Sequence, residues 1–236
     1  SVAYCEWQDH KVNLLDTPGF ADFIGEVKSG LRVADASIFV LSAVAGVEVQ
    51  AEIFWRYANE CALPRLIFIN RMDRENADFE AALESIRERL GSTPVPIQIP
   101  IGAADTFRGF IDLVKMKAFT FANEGLTEGE IPSELASSVS AHREKLIEAA
   151  AESDDSLLEK YLEGQELTRE ELSKGLRMGT ISGKVVPIVC GSALKNLAIS
   201  ALLDTIVEVL PSPQDRPDIK GTNPKTNAEE TRKPSE

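Results

Sequence analysis

Apolar runs and amphipathic runs alternate along the first 92 residues of the chain. Short apolar runs bounded by turn residues predict strands at 2–7, 11–15, 37–43 and 65–70. Apolar residues spaced three or four positions apart predict helices at 22–34, 49–61 and 78–90. Strands that alternate with helices of this length predict an α/β fold, with a mainly parallel sheet flanked by helices.

This rhythm changes after residue 92. A proline-bearing extended run leads into strand patterns at 109–113 and 118–121, and helical patterns follow at 133–151, 155–162 and 169–178. Thr168 and Glu171 form a capping-box pattern at the start of the last of these helices. We interpret residues 93–184 as an inserted α+β subdomain.

The first pattern returns in residues 185–210, which predict one more apolar strand and an amphipathic helix. Residues 1–92 and 185–210 are therefore predicted to form one core domain, interrupted by the insertion. Residues 211–236 are polar, contain prolines and show no periodicity, so we expect a linker or tail that leads toward a next domain.

Composition narrows the class of protein. The chain has 236 residues and a net charge of −13, which argues against non-specific nucleic-acid binding by this segment. The sequence has neither a membrane-spanning apolar run nor a signal-peptide pattern, so we expect a cytoplasmic protein. Cys5, Cys61 and Cys190 are scattered and predict reduced core thiols, and we expect His10 and His142 at the surface.

The first motif that carries chemistry is Asp16-Thr17-Pro18-Gly19, directly after the predicted strand 11–15. The Asp16 carboxylate can hold Mg²⁺ through a water molecule, because Mg²⁺ keeps much of its hydration shell. The Gly19 amide is unobstructed by a side chain and can donate to a terminal phosphate oxygen of a nucleotide. The same residue types also form ordinary strand-to-helix turns, so both interpretations stay open here.

A second motif, Asn70-Arg71-Met72-Asp73, ends the predicted strand 65–70. A guanine base offers donors at N1 and N2, and the carboxylate of Asp73 matches both of them. The Asn70 amide can tie the loop together and reach the base edge, and the stem of Arg71 can cover the base face. A capped turn with scattered charge is the alternative.

A third motif, Gly191-Ser192-Ala193-Leu194-Lys195-Asn196, follows the predicted strand 185–190. Its small residues would let the backbone amides of Ser192, Ala193 and Leu194 approach a base oxygen. All three motifs follow apolar strands, so we expect them at the carboxyl ends of parallel strands, where α/β sheets bind ligands.

Long stretches beyond these motifs match one known family. They include NLLDTPGFADF, LPRLIFINRMDRENADF, IPIGAADTFRGFIDLVKMKAF and GSALKNLAISALLDTIVEVLPSP. The chain thus resembles the GTPase domain of translation elongation factor G over nearly its whole length, including the insertion at 93–184.

This resemblance implies a P-loop NTPase-type fold, incomplete at its N-terminus, and a GTPase that serves tRNA–mRNA translocation. It implies GTP or GDP and Mg²⁺ as cofactors, held by the motif residues named above. The implied partner of this monomer is the ribosome, with RNA contact only through it and no membrane. The resemblance also implies that the helices at 133–178 contact the ribosomal stalk protein.

Phe20 departs from the family pattern, because the family carries a histidine there that positions the attacking water. A phenyl ring has no lone pair, so it can neither accept a proton nor orient water. Some turnover is still compatible with Phe20, since phosphoryl transfer relies mainly on positioning and electrostatics. The alternatives are a weakly or non-hydrolysing paralogue that acts as a ribosome-associated regulator, and a tetracycline-protection or release-factor relative.

The phosphate-binding pattern G-x-x-x-x-G-K-[ST] is missing from the sequence. The nearest approach, Gly179 to Lys184, has three residues between its glycines, and a helix pattern precedes it. In the family the phosphate loop precedes the strand that begins at Val2. We therefore expect this segment to lack that loop, to bind GTP weakly or not at all, and to be inactive alone.

Overall fold

The computed structural model describes residues 1–91, 93–122, 125–216 and 218–233. Its strands, β1 to β12, are Val2–Trp7, His10–Leu15, Ser37–Ser42, Arg65–Asn70, Pro94–Pro96, Gln98–Ile101, Gly109–Asp112, Lys117–Ala122, Gly125–Gly129, Val186–Cys190, Ile219–Thr222 and Glu229–Arg232. Its helices, α1 to α7, are Ile24–Val33, Val49–Glu60, Phe79–Leu90, Ala136–Ala151, Asp155–Leu162, Arg169–Ile181 and Ile199–Val209. A 3-10 turn, Ala21–Phe23, leads into α1.

A parallel four-stranded sheet forms the centre of the molecule, with the strand order β3-β4-β10-β5. Every residue of β10 is buried, as are the four central residues of β4, because helices flank this sheet. Burial on both faces explains the continuous apolar runs of these two strands. The predicted α/β fold with a parallel sheet is therefore confirmed.

The strands β1 and β2 form a separate antiparallel hairpin and do not join the parallel sheet. Gln8 and Asp9 both have positive φ, at 46° and 59°, and such a two-residue turn favours tight local pairing. The prediction that the motif after β2 follows a strand of the parallel sheet is therefore wrong. The hairpin tip is held instead by α7, where Asp204 Oδ1 accepts from Trp7 Nε1 at 2.7 Å and Gln8 Nε2 at 2.8 Å.

A second, antiparallel sheet has the order β6-β7-β8-β9. The extended run after residue 93 contributes to both sheets, since β5 pairs with β10 and β6 pairs with β7. Ile97 lies between them, and its amide donates to the Ile188 carbonyl at 3.0 Å. The division at residues 93 and 184 stays a prediction, although strands and helices both occur between those positions.

The predicted capping box at the start of α6 is confirmed. The Glu171 amide donates to Thr168 Oγ1 at 3.2 Å, and the Thr168 amide donates to Glu171 Oε2 at 2.7 Å.

His142 is buried, and the prediction of a surface position is wrong for this residue. It lies on the inward face of α4 between the buried Val139 and Leu146, at helical spacing. Its Nε2 atom lies 2.9 Å from Glu80 Oε1 on α3, so the pair joins the two helices.

The segment after α7 has more local structure than its sequence pattern predicts. Strands β11 and β12 pair as an antiparallel hairpin, after a 3-10 turn at Pro213–Asp215. Arg177 on α6 donates to the Leu210 carbonyl at 2.9 Å and to Asp215 Oδ2 at 2.8 Å. A role as a linker stays a prediction, and residues 217 and 234–236 of this stretch lie outside the described residues. Within the described residues, no helix is long and apolar enough to cross a membrane.

Candidate nucleotide-binding site

Asn70 joins the loops that follow β4 and β10. Its Oδ1 atom accepts hydrogen bonds from the amides of Arg71, at 2.8 Å, and Ala193, at 2.9 Å. Backbone bonds support the same junction, because the Met72 amide donates to the Gly191 carbonyl at 3.1 Å. The second and third sequence motifs therefore lie side by side at the carboxyl ends of neighbouring parallel strands, as predicted.

Asp73 lies inside this junction, with a side chain only 5% exposed. The Lys195 ammonium lies 3.5 Å from Oδ2 of its carboxylate. The nearby Ser192 hydroxyl, above all, holds the pKa of Asp73 below its ordinary value, helped by the amide of Asp73 and by Lys195 and opposed by burial. The site thus presents an ionised acceptor near neutral pH.

Gly191 allows the strand β10 to end close to Phe68. A Cβ atom at Gly191 would lie 2.5 Å from the Leu197 carbonyl oxygen and 3.0 Å from the Phe68 ring. Ser192 and Leu197 close the loop by exchanging backbone hydrogen bonds of 3.1 and 2.9 Å. A side chain at position 191 would therefore push apart the loop that carries Ser192.

The outer rim of the junction is exposed. Arg71 has a left-handed backbone, with φ 66°, and its side chain is exposed beside the buried Met72. Leu194 is 78% exposed. Because the Ala193 amide already donates to Asn70, the Leu194 amide is the better donor for a base oxygen.

The first motif forms an exposed loop after β2. The amide and carbonyl of Asp16 pair with Ser1, at 2.9 and 2.7 Å, and Ser1 Oγ lies 3.4 Å from Asp16 Oδ2. Thr17 packs against α1, since a Cβ atom at Gly30 would lie 2.8 Å from Thr17 Cγ2. Gly19 has open space around its Cα, so packing does not require a glycine there.

Phe20 begins the 3-10 turn that leads into α1. Its carbonyl accepts from the Phe23 amide at 3.1 Å, and the residue is 73% exposed. Across the described ranges, no hydrogen bond or ion pair links Asp16 with Asn70 or Asp73. The structure therefore brings together the predicted base-binding residues, and the phosphate side of the site stays a prediction.

A metal-binding role for Asp16 is compatible with these residues only in a water-rich form. In the part of the chain that the structure describes, no cluster of three or more His, Cys, Asp or Glu residues could hold a metal. One carboxylate is nevertheless a usual protein contribution to Mg²⁺, which keeps several water ligands and takes others from phosphates.

Lys195 is the residue that sequence reasoning missed at this site. It stands in the third motif, directly after the predicted base-binding residue Leu194, but its contact is with Asp73 on another strand end. The sequence could have indicated this contact, because Lys195 is a cation in a loop that was expected to lie beside the loop of Asp73.

Comparison with known proteins agrees with the fold. The family described as Elongation factor Tu GTP binding domain matches residues 1–212. A crystal structure of a protein from Thermus thermophilus is similar to 91% of this chain, with 38% sequence identity and a TM-score of 0.84. This chain spans about a third of that protein, 32% of its length.

The parallel sheet with its flanking helices is a P-loop GTPase-like fold. The chain belongs to the elongation factor Tu GTP-binding domain family. It is thus a GTP-binding domain of the translational GTPase type.

Proposed function

We propose that this chain is the GTP-binding domain of a ribosome-associated translational GTPase similar to elongation factor G, which acts in translocation. The observation that carries the proposal is the Asp73 carboxylate, 5% exposed, beside the junction that Asn70 makes with Ala193. Family membership implies a guanine nucleotide, and this carboxylate is the group best suited to select guanine.

Guanine recognition follows from hydrogen-bond complementarity. The two oxygens of Asp73 accept from the N1 and N2 donors of guanine, and the Leu194 amide donates to the base oxygen. Adenine carries a lone pair at N1 and has no amino group at position 2, so it would place an acceptor against the acceptor oxygens of Asp73. Two facing acceptors repel each other, and the site should therefore reject adenine nucleotides.

On the phosphate side, we propose that Gly19 donates its amide to the terminal phosphate and that Asp16 faces Mg²⁺ through water. The ion, when bound, would neutralise phosphate charge. Because Thr17 packs on α1 at Gly30, a movement of this loop would displace α1 directly.

The partner assignments rest on sequence similarity through residues 93–184. We propose that the ribosomal stalk protein contacts α4 to α6, that RNA is met only as part of the ribosome, and that the protein is a cytoplasmic monomer. Pull-down of stalk protein by this chain, with and without residues 133–178, would measure the first of these assignments.

The base-binding proposal can be tested on the chain itself by amide NMR. We expect millimolar GDP to shift the amides of Asn70, Asp73 and Leu194, and ADP at equal concentration to leave them in place. The Asp73→Asn variant should prefer xanthosine diphosphate, because an amide donor matches the extra carbonyl of xanthine. Equal shifts with GDP and ADP, or no change of preference in Asp73→Asn, would overturn the proposal.

A weakly hydrolysing regulator is the second candidate, and the exposed Phe20 is the observation that favours it. The residue is 73% exposed, so packing alone gives no reason for phenylalanine at this position. Ribosome-stimulated GTP hydrolysis by the protein and by its Phe20→His variant distinguishes the candidates. Equal rates remove the case for the regulator, whereas hydrolysis that only Phe20→His supports establishes it.

A further inference from the structure

We propose that Lys195 is a displaceable counter-ion, which holds the Asp73 carboxylate while the base site is empty and moves away when guanine binds. This inference rests on the proposed function, because it assigns a regulatory role to one residue of the same site.

The pair is asymmetric in its exposure to solvent. The Asp73 side chain is 5% exposed, whereas that of Lys195 is 54% exposed. The ammonium therefore reaches the buried carboxylate from the solvent side, at 3.5 Å from Oδ2. It is the outermost partner of Asp73, and it can be rehydrated at little cost when it leaves.

The ammonium and the base would compete for the same oxygen. Guanine needs both oxygens of the Asp73 carboxylate, because its N1 and N2 donors lie side by side. Lys195 Nζ lies 3.5 Å from one of them, Oδ2, so the base and the ammonium cannot both keep close contact with that atom.

Lys195 is the partner that is released most easily. Its 3.5 Å contact is longer than a strong charge-assisted hydrogen bond, which spans about 2.7–2.9 Å. Ser192 is only 1% exposed, and its loop is closed by two hydrogen bonds with Leu197. Ser192 thus stays in place, and the flexible lysine yields.

The counter-ion has a purpose in the empty site. Burial favours the neutral form of Asp73, and a neutral carboxyl group would present a proton to the guanine donors. The nearby ammonium, together with Ser192, opposes that effect in the empty site.

The test compares Lys195→Met with the wild-type chain in two measurements. Carboxyl-carbon NMR of the ligand-free chain should show the pKa of Asp73 rising in Lys195→Met, because one stabilising charge is lost. Titration with guanosine near neutral pH should show tighter binding by Lys195→Met, by roughly two- to fivefold, the usual scale of an exposed ion pair. The uncharged nucleoside is the probe because phosphates would be attracted to the lysine directly.

Two variants serve as controls. Lys195→Arg keeps the positive charge and should leave the pKa of Asp73 near the wild-type value. Lys174→Met removes a lysine that pairs with Asp154 on other elements, so it should change neither measurement.

The outcomes separate this inference from the proposed function. If the wild-type chain does not distinguish guanosine from adenosine, the proposed function fails, and the displacement role falls with it. If the wild-type chain selects guanosine but Lys195→Met binds it equally or more weakly, only the displacement role is overturned. An unchanged pKa of Asp73 in Lys195→Met also overturns it.

Discussion

The Oδ1 atom of Asn70 lies 2.9 Å from the amide nitrogen of Ala193, which follows it by 123 positions in the chain. This hydrogen bond fixes the loop after β4 against the loop after β10. Asp73 and Ser192 stand on those same two loops, so the bond also determines how they face each other. The base side of the site is therefore organised by the protein alone, which lowers the ordering cost of binding.

Replacement of Asn70 by alanine should loosen both loops. The amides of Arg71 and Ala193 would lose their acceptor, and we expect a loss of about 1–3 kcal/mol in the free energy of unfolding. Urea denaturation measures the loss, and hydrogen exchange should become faster at the Ala193 amide. Asn59→Ala, on an exposed position of α2, is the control and should be close to neutral. An unchanged midpoint in Asn70→Ala would show that the junction does not depend on this side chain.

Two glycines of the candidate site should respond differently to alanine. Gly191→Ala places a methyl group against the Leu197 carbonyl and the Phe68 ring, and such overpacking costs about 1–3 kcal/mol. Gly19→Ala meets open space, so its free energy of unfolding should stay within about 0.5 kcal/mol of the wild type. Thermal or urea unfolding of the two variants checks this contrast. Equal destabilisation of both variants would contradict the prediction.

Asp154 should contribute to the acid sensitivity of the fold. It caps α5, accepting from the Ser156 hydroxyl and from the amides of Ser156 and Leu157, and these bonds lower its pKa to about 2. Because the unfolded value is near 3.9, this stabilisation is full above about pH 4 and is lost as the pH falls toward 2.

The Asp154→Asn variant keeps an acceptor for the cap but no longer titrates. Its free energy of unfolding should therefore change less between about pH 4 and pH 2 than that of the wild type. Urea denaturation at a series of pH values gives the free energy of unfolding of each protein as a function of pH. If the two proteins show the same dependence on pH, this role for Asp154 is ruled out.

The three thiols should differ in reactivity. Cys190 is fully buried on β10 and burial raises the pKa of its thiol far above the ordinary range, whereas Cys5 and Cys61 are half-buried. We expect a disulfide reagent such as dithionitrobenzoate to modify two thiols of the native chain, and the third only on unfolding. In the Cys190→Ala variant, only the reaction that requires unfolding should be lost. A native reaction of Cys190 at the rate of the other two would contradict its burial.

The best-predicted elements are those whose burial shapes the sequence directly. The strand β4 is Arg65–Asn70, as predicted, and β10 begins one residue later than predicted, because both strands are apolar along their length. The motifs of the base side were found for a related reason. Parallel strands place their following loops at one edge, so Asn70 and Ala193 were expected to be neighbours.

Elements that depend on pairing rather than burial were not predictable in the same way. The polar strands β9 and β12 have no apolar periodicity, and they exist because β8 and β11 supply their hydrogen bonds. The pattern of β2 likewise indicated a strand but not its partner. His142 could have been found, since Val139 and Leu146 place it on an apolar helix face.

The strand β3 lies at the outer edge of the parallel sheet, with one side of its backbone unpaired by any other described strand. Its Val40 is 60% exposed, between the buried Phe39 and Leu41. Such an edge is a template for self-association, in which chains add strand to strand. Repulsion between molecules that each carry a net charge of −13 opposes this process, so added salt should promote aggregation by screening that repulsion.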